Sequence, residues 1–397
     1  MKKVLLRGPL LSLSGYGIHS RQIFEWLETV DDIQLYVDIV KWGMTSWIID
    51  NQQEGGIVGR IMNCSKDIKD IKFDISIQVQ LPDEWDPNIA KKNIGVSAVV
   101  ETNICSRKWV ECCNRMDMII VPSTFTRSVL RASGDLTSPV HVIPEWFNKN
   151  IKKTKSKKMS TDVENIKLSA KFNFLLIGTI TSQNPDDDRK NILYSLKWLM
   201  EEFKDNKKVG IVIKTSFGRG TKIDKEMTAN TLENAINEIR SLTKSNFPKV
   251  TLIHGNMTQQ EVADLYSHKK IKCFVSCTKG EGYGLPLIEA AASGMPVVAT
   301  GWSGHRDFLK EKYLSVDYTL KTINNSKIDG RVFVKNAKWA HVSENSFKRN
   351  IKEVYNNYQK HKKNANALQD IVIRDFSKNS VIGMYNGLLN EKVFNNG

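Results

Sequence analysis

Two glutamates with seven residues between them, Glu281 and Glu289, stand in the stretch 279–300, Lys-Gly-Glu-Gly-Tyr-Gly-Leu-Pro-Leu-Ile-Glu-Ala-Ala-Ala-Ser-Gly-Met-Pro-Val-Val-Ala-Thr. Carboxylates accept hydrogen bonds from hydroxyl-rich ligands, whereas phosphates want N–H donors. Gly280, Gly282 and Gly284 clear the loop of side chains, so a ligand can approach its backbone N–H groups. Pro286 suits a first helical position, where no N–H is needed, and Gly294 the residue just past a helix end. Pro296 then opens a buried apolar strand at 297–299. The stretch therefore reads as loop, helix, turn and strand. A helix N-terminus beside a glycine loop suits an anion. With a carboxylate on either side, the ligand is a diphosphate flanked by polyols, which describes a nucleotide sugar.

The frame Glu281-Gly-Tyr-Gly-Leu-Pro…Glu289-Ala…Gly294-Met-Pro-Val-Val-Ala-Thr300 resembles the donor-site signature of the retaining GT-B glycosyltransferases of the glycogen-synthase-like group (family 4, glycosyl transferases group 1). The chain looks like stand-alone members found in bacteria and bacteriophages. The resemblance implies an α/β GT-B fold, with two Rossmann-like doubly wound parallel-sheet domains facing a cleft, acceptor on the first and donor on the second. It also implies that Glu289 holds the donor ribose, and that Glu281 and the N–H groups of Gly282, Tyr283, Gly284 and Leu285 hold sugar and phosphate.

The family usually has an arginine soon after the glycine that follows the first strand of the second domain, and a lysine several residues later. Here Thr179 stands where the arginine would be, Lys190 matches the lysine, and Arg189 is the substitute. Arg189 and Lys190 would stabilise charge on the leaving diphosphate and, with Glu281, form the catalytic set. Gly15, Tyr16 and Gly17 are similar to the family's glycine loop after strand one, which reaches towards the donor. Met257, in a segment like that beside the donor base, reads equally as a base contact or a core methionine. Gly304 belongs to a second small-residue loop, 301–307, counted with the donor site. The resemblance implies front-face attack with no essential metal and no cofactor beyond the nucleotide-sugar donor, a UDP-sugar before a GDP-sugar.

Acceptor-side candidates are Glu101, Trp42, Trp85 and His305, all shortly after expected strands. Flat aromatic faces stack on sugars or bases, although a tryptophan packed under a loop is the commoner case; Trp146 and Trp302 share that ambiguity. A histidine near a helix start is also more often structural.

Positioning these groups takes alternating elements. Strands are expected at 4–7, 34–40, 73–80, 94–100, 118–121 and 140–143, and helices at 19–29 and 123–132, which argues a parallel sheet covered on both faces. The domains are expected at 1–148, a Lys-rich solvated linker at 149–171, the second domain at 172–375, with strands at 172–177, 209–214, 250–254 and 272–276, and a C-terminal helix at 376–397 crossing back to the first domain. Ligands in such sheets bind beyond the carboxyl ends of the strands.

The chain has 397 residues, 41% hydrophobic and 25% charged, enough for two cores. No apolar run reaches the ~20 residues of a membrane span. The opening apolar run is too short for a signal peptide, and a cytoplasmic protein (host cytoplasm if phage-encoded) is expected. Six scattered cysteines lack metal-type spacing and are expected to be reduced.

The net charge of +15 reads mainly as Lys-rich composition, and secondarily as a polyanion surface or a peripheral contact with a membrane. The acceptor is expected to be a saccharide or glycoconjugate, with a hydroxymethylated base in DNA as the alternative. A non-catalytic nucleotide-sugar or nucleic-acid binding protein is the alternative from another class, and slow donor hydrolysis would exclude it.

Overall fold

The computed structural model describes residues 1–151, 159–216 and 220–389. They form two compact units. The first comprises Met1–Trp146, Ile328–Ala337 and the described part of 376–397; the second comprises Phe147–Lys327 and Lys338–Asp375.

The first unit is a six-stranded sheet of β1 (Lys2–Gly8), β2 (Ile33–Ile39), β3 (Phe73–Val79), β4 (Ala90–Val96), β5 (Met118–Val121) and β6 (Val140–Val142), in the order β2-β1-β3-β4-β5-β6. Every neighbouring pair is parallel. The central strands are nearly continuous apolar runs (Val4, Leu5 and Leu6 in β1; Ile119, Ile120 and Val121 in β5), because helices cover both faces. The strand expected at 94–100 lies instead at 90–96. Beyond it the chain turns, with Val99 at φ +53° and Ser97 bonded to Tyr16. The helix Lys378–Leu389 places Val381, Tyr385 and Leu389, spaced i, i+4 and i+8, in the first unit's core. Tyr385 stacks on Trp26 at 4.7 Å, and Trp26 Nε1 donates to Asn386 Oδ1 at 2.8 Å. The segment Ile328–Ala337 also joins this unit, where Arg331 bridges Asp83 and Glu84, both at 2.7 Å.

The second unit repeats the theme with β7 (Phe172–Ile177), β8 (Val209–Lys214), β9 (Lys249–Ile253), β10 (Ile271–Ser276), β11 (Val297–Thr300) and β12 (Leu314–Val316). The order is β12-β11-β10-β7-β8-β9, all parallel. The chain builds outward from β7 on one side and returns to build from β10 on the other. The switch point thus falls between β7 and β10, where such sheets place their ligands. An antiparallel pair, β13 (Tyr318–Thr322) with β14 (Lys338–Val342), is appended.

The stretch 149–171 differs from a solvated tether. Ile151, Val163, Leu168 and Ala170 are buried, and the Ser160 N–H donates to Asp264 Oδ2 at 2.7 Å. Five of its lysines, Lys152, Lys153, Lys155, Lys157 and Lys158, lie outside the described residues, as does the end of the C-terminal stretch, 390–397. Among the described residues no helix is long and apolar enough to cross a membrane.

Candidate active site

The two loops at the β7/β10 switch point are stitched to each other. After β7 the chain runs through Gly178 to a turn at Pro185–Asp187 and then Asp188-Arg189-Lys190-Asn191. Asp188 is fully buried. One carboxylate oxygen accepts from the Thr181 N–H at 3.0 Å and the Thr181 hydroxyl at 2.8 Å, and the other from the Ile192 N–H at 2.8 Å. That last bond caps the helix Ile192–Glu202, whose preceding residue Asn191 is left-handed and gives no side-chain cap. After β10 the chain runs Cys277-Thr278-Lys279-Gly280-Glu281. The Lys279 N–H donates to the Arg189 carbonyl at 2.7 Å. Buried Lys279 also sends its ammonium to the carbonyls of Pro185 (3.1 Å) and Asp186 (2.5 Å), below the Trp339 ring. Burial lowers its pKa, opposed by Asp188, Asp186 and Asp187.

This stitching brings Arg189, Lys190 and Glu281 together. Lys190 Nζ donates to Glu281 Oε1 at 2.5 Å. Arg189 Nη1 donates to the Gly280 carbonyl at 2.7 Å and lies 3.7 Å from Glu281 Oε2. The Lys190 stem passes over Gly178, where an added Cβ would sit 3.5 Å from its Cγ. Burial alone would raise the Glu281 pKa, but the charges of Lys190 and Arg189 and the Lys190 hydrogen bond outweigh it and hold the carboxyl down to about 2. Glu281 is therefore an anion at any working pH, and the trio carries one net positive charge.

The glycine loop then enters the helix Leu285–Ala292 through Gly284, at φ +106°. Glu289 is half-buried on this helix. Burial raises its carboxyl to about 7, only partly offset by the neighbouring Tyr266 hydroxyl, whose hydrogen goes to the Pro286 carbonyl at 3.0 Å. The two glutamates thus have opposite character, one fixed as an anion and one poised to titrate.

Several sequence expectations need correction. The Tyr283 ring is buried against Phe308, so its side chain is a core residue and not a ligand contact. Gly304 gives its N–H to the Glu281 carbonyl at 2.9 Å, not to a ligand. His305 is fully buried, with Nε2 2.7 Å from the Thr300 carbonyl, which removes it from the acceptor side. Trp85 lies buried in the first unit's core against Gly95, where an added Cβ would meet the indole at 2.7 Å; the glycine leaves a slot that the flat ring fills. Trp146 is likewise in the core.

After β1, Gly17 lies in the first turn of the helix Gly15–Leu27, where its N–H is spent on the capping Ser14 Oγ at 3.1 Å. Its missing side chain admits the Ser12 carbonyl, 2.0 Å from where a Cβ would sit. The Tyr16 hydroxyl bonds Ser97 Oγ at 2.8 Å and accepts from the Ala98 N–H at 3.1 Å, so it ties the start of that helix to the end of β4. Trp42 stacks on Tyr16 at 4.0 Å and is half-buried. Gly15 is exposed, Glu101 is half-buried in the loop after β4, and Met257 is half-buried in the loop after β9. Sequence reasoning missed Asp188, since nothing local in the acidic run 186–188 says which carboxylate caps the next helix. It also missed Thr278, Lys279, Ser303 and Tyr266, which carry no sequence signal beyond their neighbours.

Gly304 also yields a stability test. An added Cβ would lie 2.1 Å from the Gly282 carbonyl oxygen and 3.0 Å from that of Glu281. Gly304→Ala should destabilise the chain by about 1–3 kcal/mol through overpacking against backbone that cannot yield. A lower midpoint in denaturant unfolding, together with lost turnover, is the expected result.

Residues 233–327 match the family model described as glycosyl transferases group 1. The solved structures it resembles include sucrose-phosphate synthase from Thermosynechococcus elongatus, at 13% identity and TM-score 0.65 over 100% of both chains. Anabaena Alr3699/HepE in complex with UDP and glucose aligns at 11% identity and TM-score 0.63, over 98% of this chain and 100% of that one. A glycosyltransferase from Rickettsia africae aligns at 13% identity and TM-score 0.64, over 100% and 99%. No curated protein matches. These likenesses give the fold as GT-B, and the family match marks the chain as an enzyme of the glycosyltransferase class.

Proposed function

We propose that the chain transfers a glycosyl group from a nucleoside diphosphate sugar, a UDP-sugar before a GDP-sugar, to an acceptor hydroxyl with retention of configuration. The observation that carries this reading is the convergence of Arg189, Lys190 and Glu281 at the β7/β10 switch point, beside a glycine loop that opens a helix. Two cations and one carboxylate suit a dianionic leaving group joined to a polyol. The UDP seen in the Anabaena neighbour's complex supports the choice of nucleotide.

In this reading Glu281 accepts from the transferred sugar's hydroxyls and Glu289 from the donor ribose. Lys190, with Arg189, moves from its carboxylate partner onto the diphosphate. The acceptor oxygen attacks the anomeric carbon on the face that the diphosphate leaves. The new C–O bond forms as the anomeric carbon–phosphate oxygen bond breaks, and the acceptor proton passes to the departing phosphate. No metal is assigned to the step. A saccharide or glycoconjugate is the acceptor class favoured, with hydroxymethylated DNA the alternative.

A panel of UDP- and GDP-sugars, scored for released nucleotide with saccharides and hydroxymethylcytosine DNA as competing acceptors, tests this. At least one donor should be consumed, slowly by water and faster with the right acceptor. Binding of every donor without release of nucleotide would overturn the catalytic reading. Faster consumption with the DNA alone, lost at raised salt, would move the acceptor to the polyanion.

A further inference from the structure

The loop after β11 grips the backbone of Glu281 at both ends of one residue. The Glu281 N–H donates to Ser303 Oγ at 3.0 Å, and the Glu281 carbonyl accepts from the Gly304 N–H at 2.9 Å. Ser303 Oγ in turn lies 3.4 Å from His305 Nδ1, and His305 Nε2 lies 2.7 Å from the Thr300 carbonyl. A carbonyl can only accept, so Nε2 carries the hydrogen and Nδ1 is the lone-pair nitrogen of a neutral ring. The Ser303 hydroxyl must then donate to Nδ1, which leaves its lone pair for the Glu281 N–H. The chain of bonds has one consistent direction, from the Glu281 N–H to Ser303, to His305, to Thr300.

Two features mark this grip as more than ordinary packing. Ser303 holds φ +87°, a conformation that serine adopts at a cost and glycine adopts freely. Ser303 and His305 are both buried. The Thr300 hydroxyl continues the network to the Thr278 carbonyl at 2.7 Å, and the Thr278 hydroxyl reaches the Gly280 carbonyl at 3.0 Å. The peptides on both sides of Glu281 are thus fixed from the β11 loop, while its carboxylate is fixed by Lys190 and Arg189.

We infer that Ser303 and His305 are positioning residues for glycosyl transfer: their hydrogen-bond relay sets the backbone of Glu281, and so aims its carboxylate and the neighbouring glycine N–H groups. The inference rests on the function proposed for Glu281. Burial, which lowers the His305 pKa, supports it by keeping the ring neutral, with the neighbouring Glu281, Arg306 and Lys190 charges as smaller influences.

Ser303→Gly separates positioning from stability, because it relieves the positive φ while deleting the hydroxyl. Its unfolding midpoint should equal or exceed that of the parent protein, while kcat for the consumed nucleotide sugar falls about 10–100-fold, as when outer supports of a site are removed. KM for the donor should change less than kcat. His305→Asn, whose Oδ1 can still accept from Ser303, should retain more turnover than His305→Phe.

Amide hydrogen exchange reads the same bond without substrate. The Glu281 amide should exchange at least tenfold faster in Ser303→Gly. Unchanged exchange would overturn the relay, and faster exchange with kcat within twofold of the parent would overturn the positioning role. A parent protein that consumes no nucleotide sugar would instead refute the proposed function, with the exchange result still deciding whether Ser303 holds Glu281.

Discussion

Lys190→Ala should lower kcat for donor turnover by about 10²–10³-fold, the loss seen when one preorganised electrostatic stabiliser is removed. The ammonium sits 2.5 Å from Glu281, with Arg189 3.7 Å from the same carboxylate. Removing Lys190 takes the trio from one net positive charge to none. Negative charge grows on the diphosphate only as the glycosidic bond breaks, so kcat should carry more of the loss than KM. Lys190→Arg keeps the charge but not the point geometry, and should fall between. Turnover of Lys190→Ala within threefold of the parent would remove Lys190 from the mechanism.

The same substitution has a stability signature with a definite sign. Glu281 has a folded-state pKa of about 2, below that of an unfolded glutamate. Its contribution is therefore present at neutral pH and lost as pH falls through the range from about 4.5 to 2. Without Lys190, burial is opposed mainly by Arg189 and the carboxyl pKa rises. Lys190→Ala should be less stable than the parent by about 1–3 kcal/mol at pH 7, the pair being buried but not dry. The gap should close as the buffer is taken towards pH 3. Chemical denaturation at the two pH values measures it.

Legibility in the sequence followed the length scale of the interaction. The strands at 118–121, 172–177 and 209–214 were readable as short apolar runs bounded by polar residues, and they fall where expected. The motif at 279–300 was readable because glycine and proline punctuate it locally. The β13/β14 pair, largely exposed in its first strand, has no such run and was not foreseen. Contacts over long sequence separations were invisible. Nothing local says that Lys279 reaches the carbonyls of residues 185 and 186, or that Glu281 hangs from Ser303. His305 and Trp85 escape a sequence reading for a related reason. A polar or aromatic residue after a strand end faces a ligand or fills a slot according to a partner elsewhere in the chain: for Trp85 the bare surface of Gly95, for His305 the carbonyl of Thr300. The arginine absent from position 179 is different in kind, since Arg189 reaches Glu281 from ten residues further on.

Glu289 should make nucleotide binding release a proton. Half-buried on its helix and raised to about 7, it is close to half-protonated at neutral pH. A ribose offers two hydroxyl donors, and the carboxylate, acceptor-only on both oxygens, matches them better than the protonated acid, which spends one oxygen on an O–H. Binding therefore selects the ionised form. Affinity for UDP should be flat above about pH 7.5 and weaken towards tenfold per pH unit well below 7.

The phosphate of the nucleotide titrates in the same range, so Glu289→Gln is the reference. It keeps one acceptor, cannot ionise, and should bind UDP about 10–100-fold more weakly at pH 8 but with a smaller deficit at pH 6. Calorimetry in buffers of different ionisation enthalpy should show extra proton release at pH 6.5 in the parent alone. Stability runs the other way. A carboxyl whose folded pKa is raised stabilises the fold while protonated, and that contribution is lost as pH rises from about 4.5 through 7. Glu289→Gln should thus match the parent at pH 4 and exceed it by about 1–2 kcal/mol at pH 8, with partial exposure tempering the shift. One substitution that strengthens the fold and weakens the nucleotide is the mark of a site residue held in an unfavourable charge state for its ligand. Superimposable pH profiles of the two proteins, in binding and in stability, would exclude it.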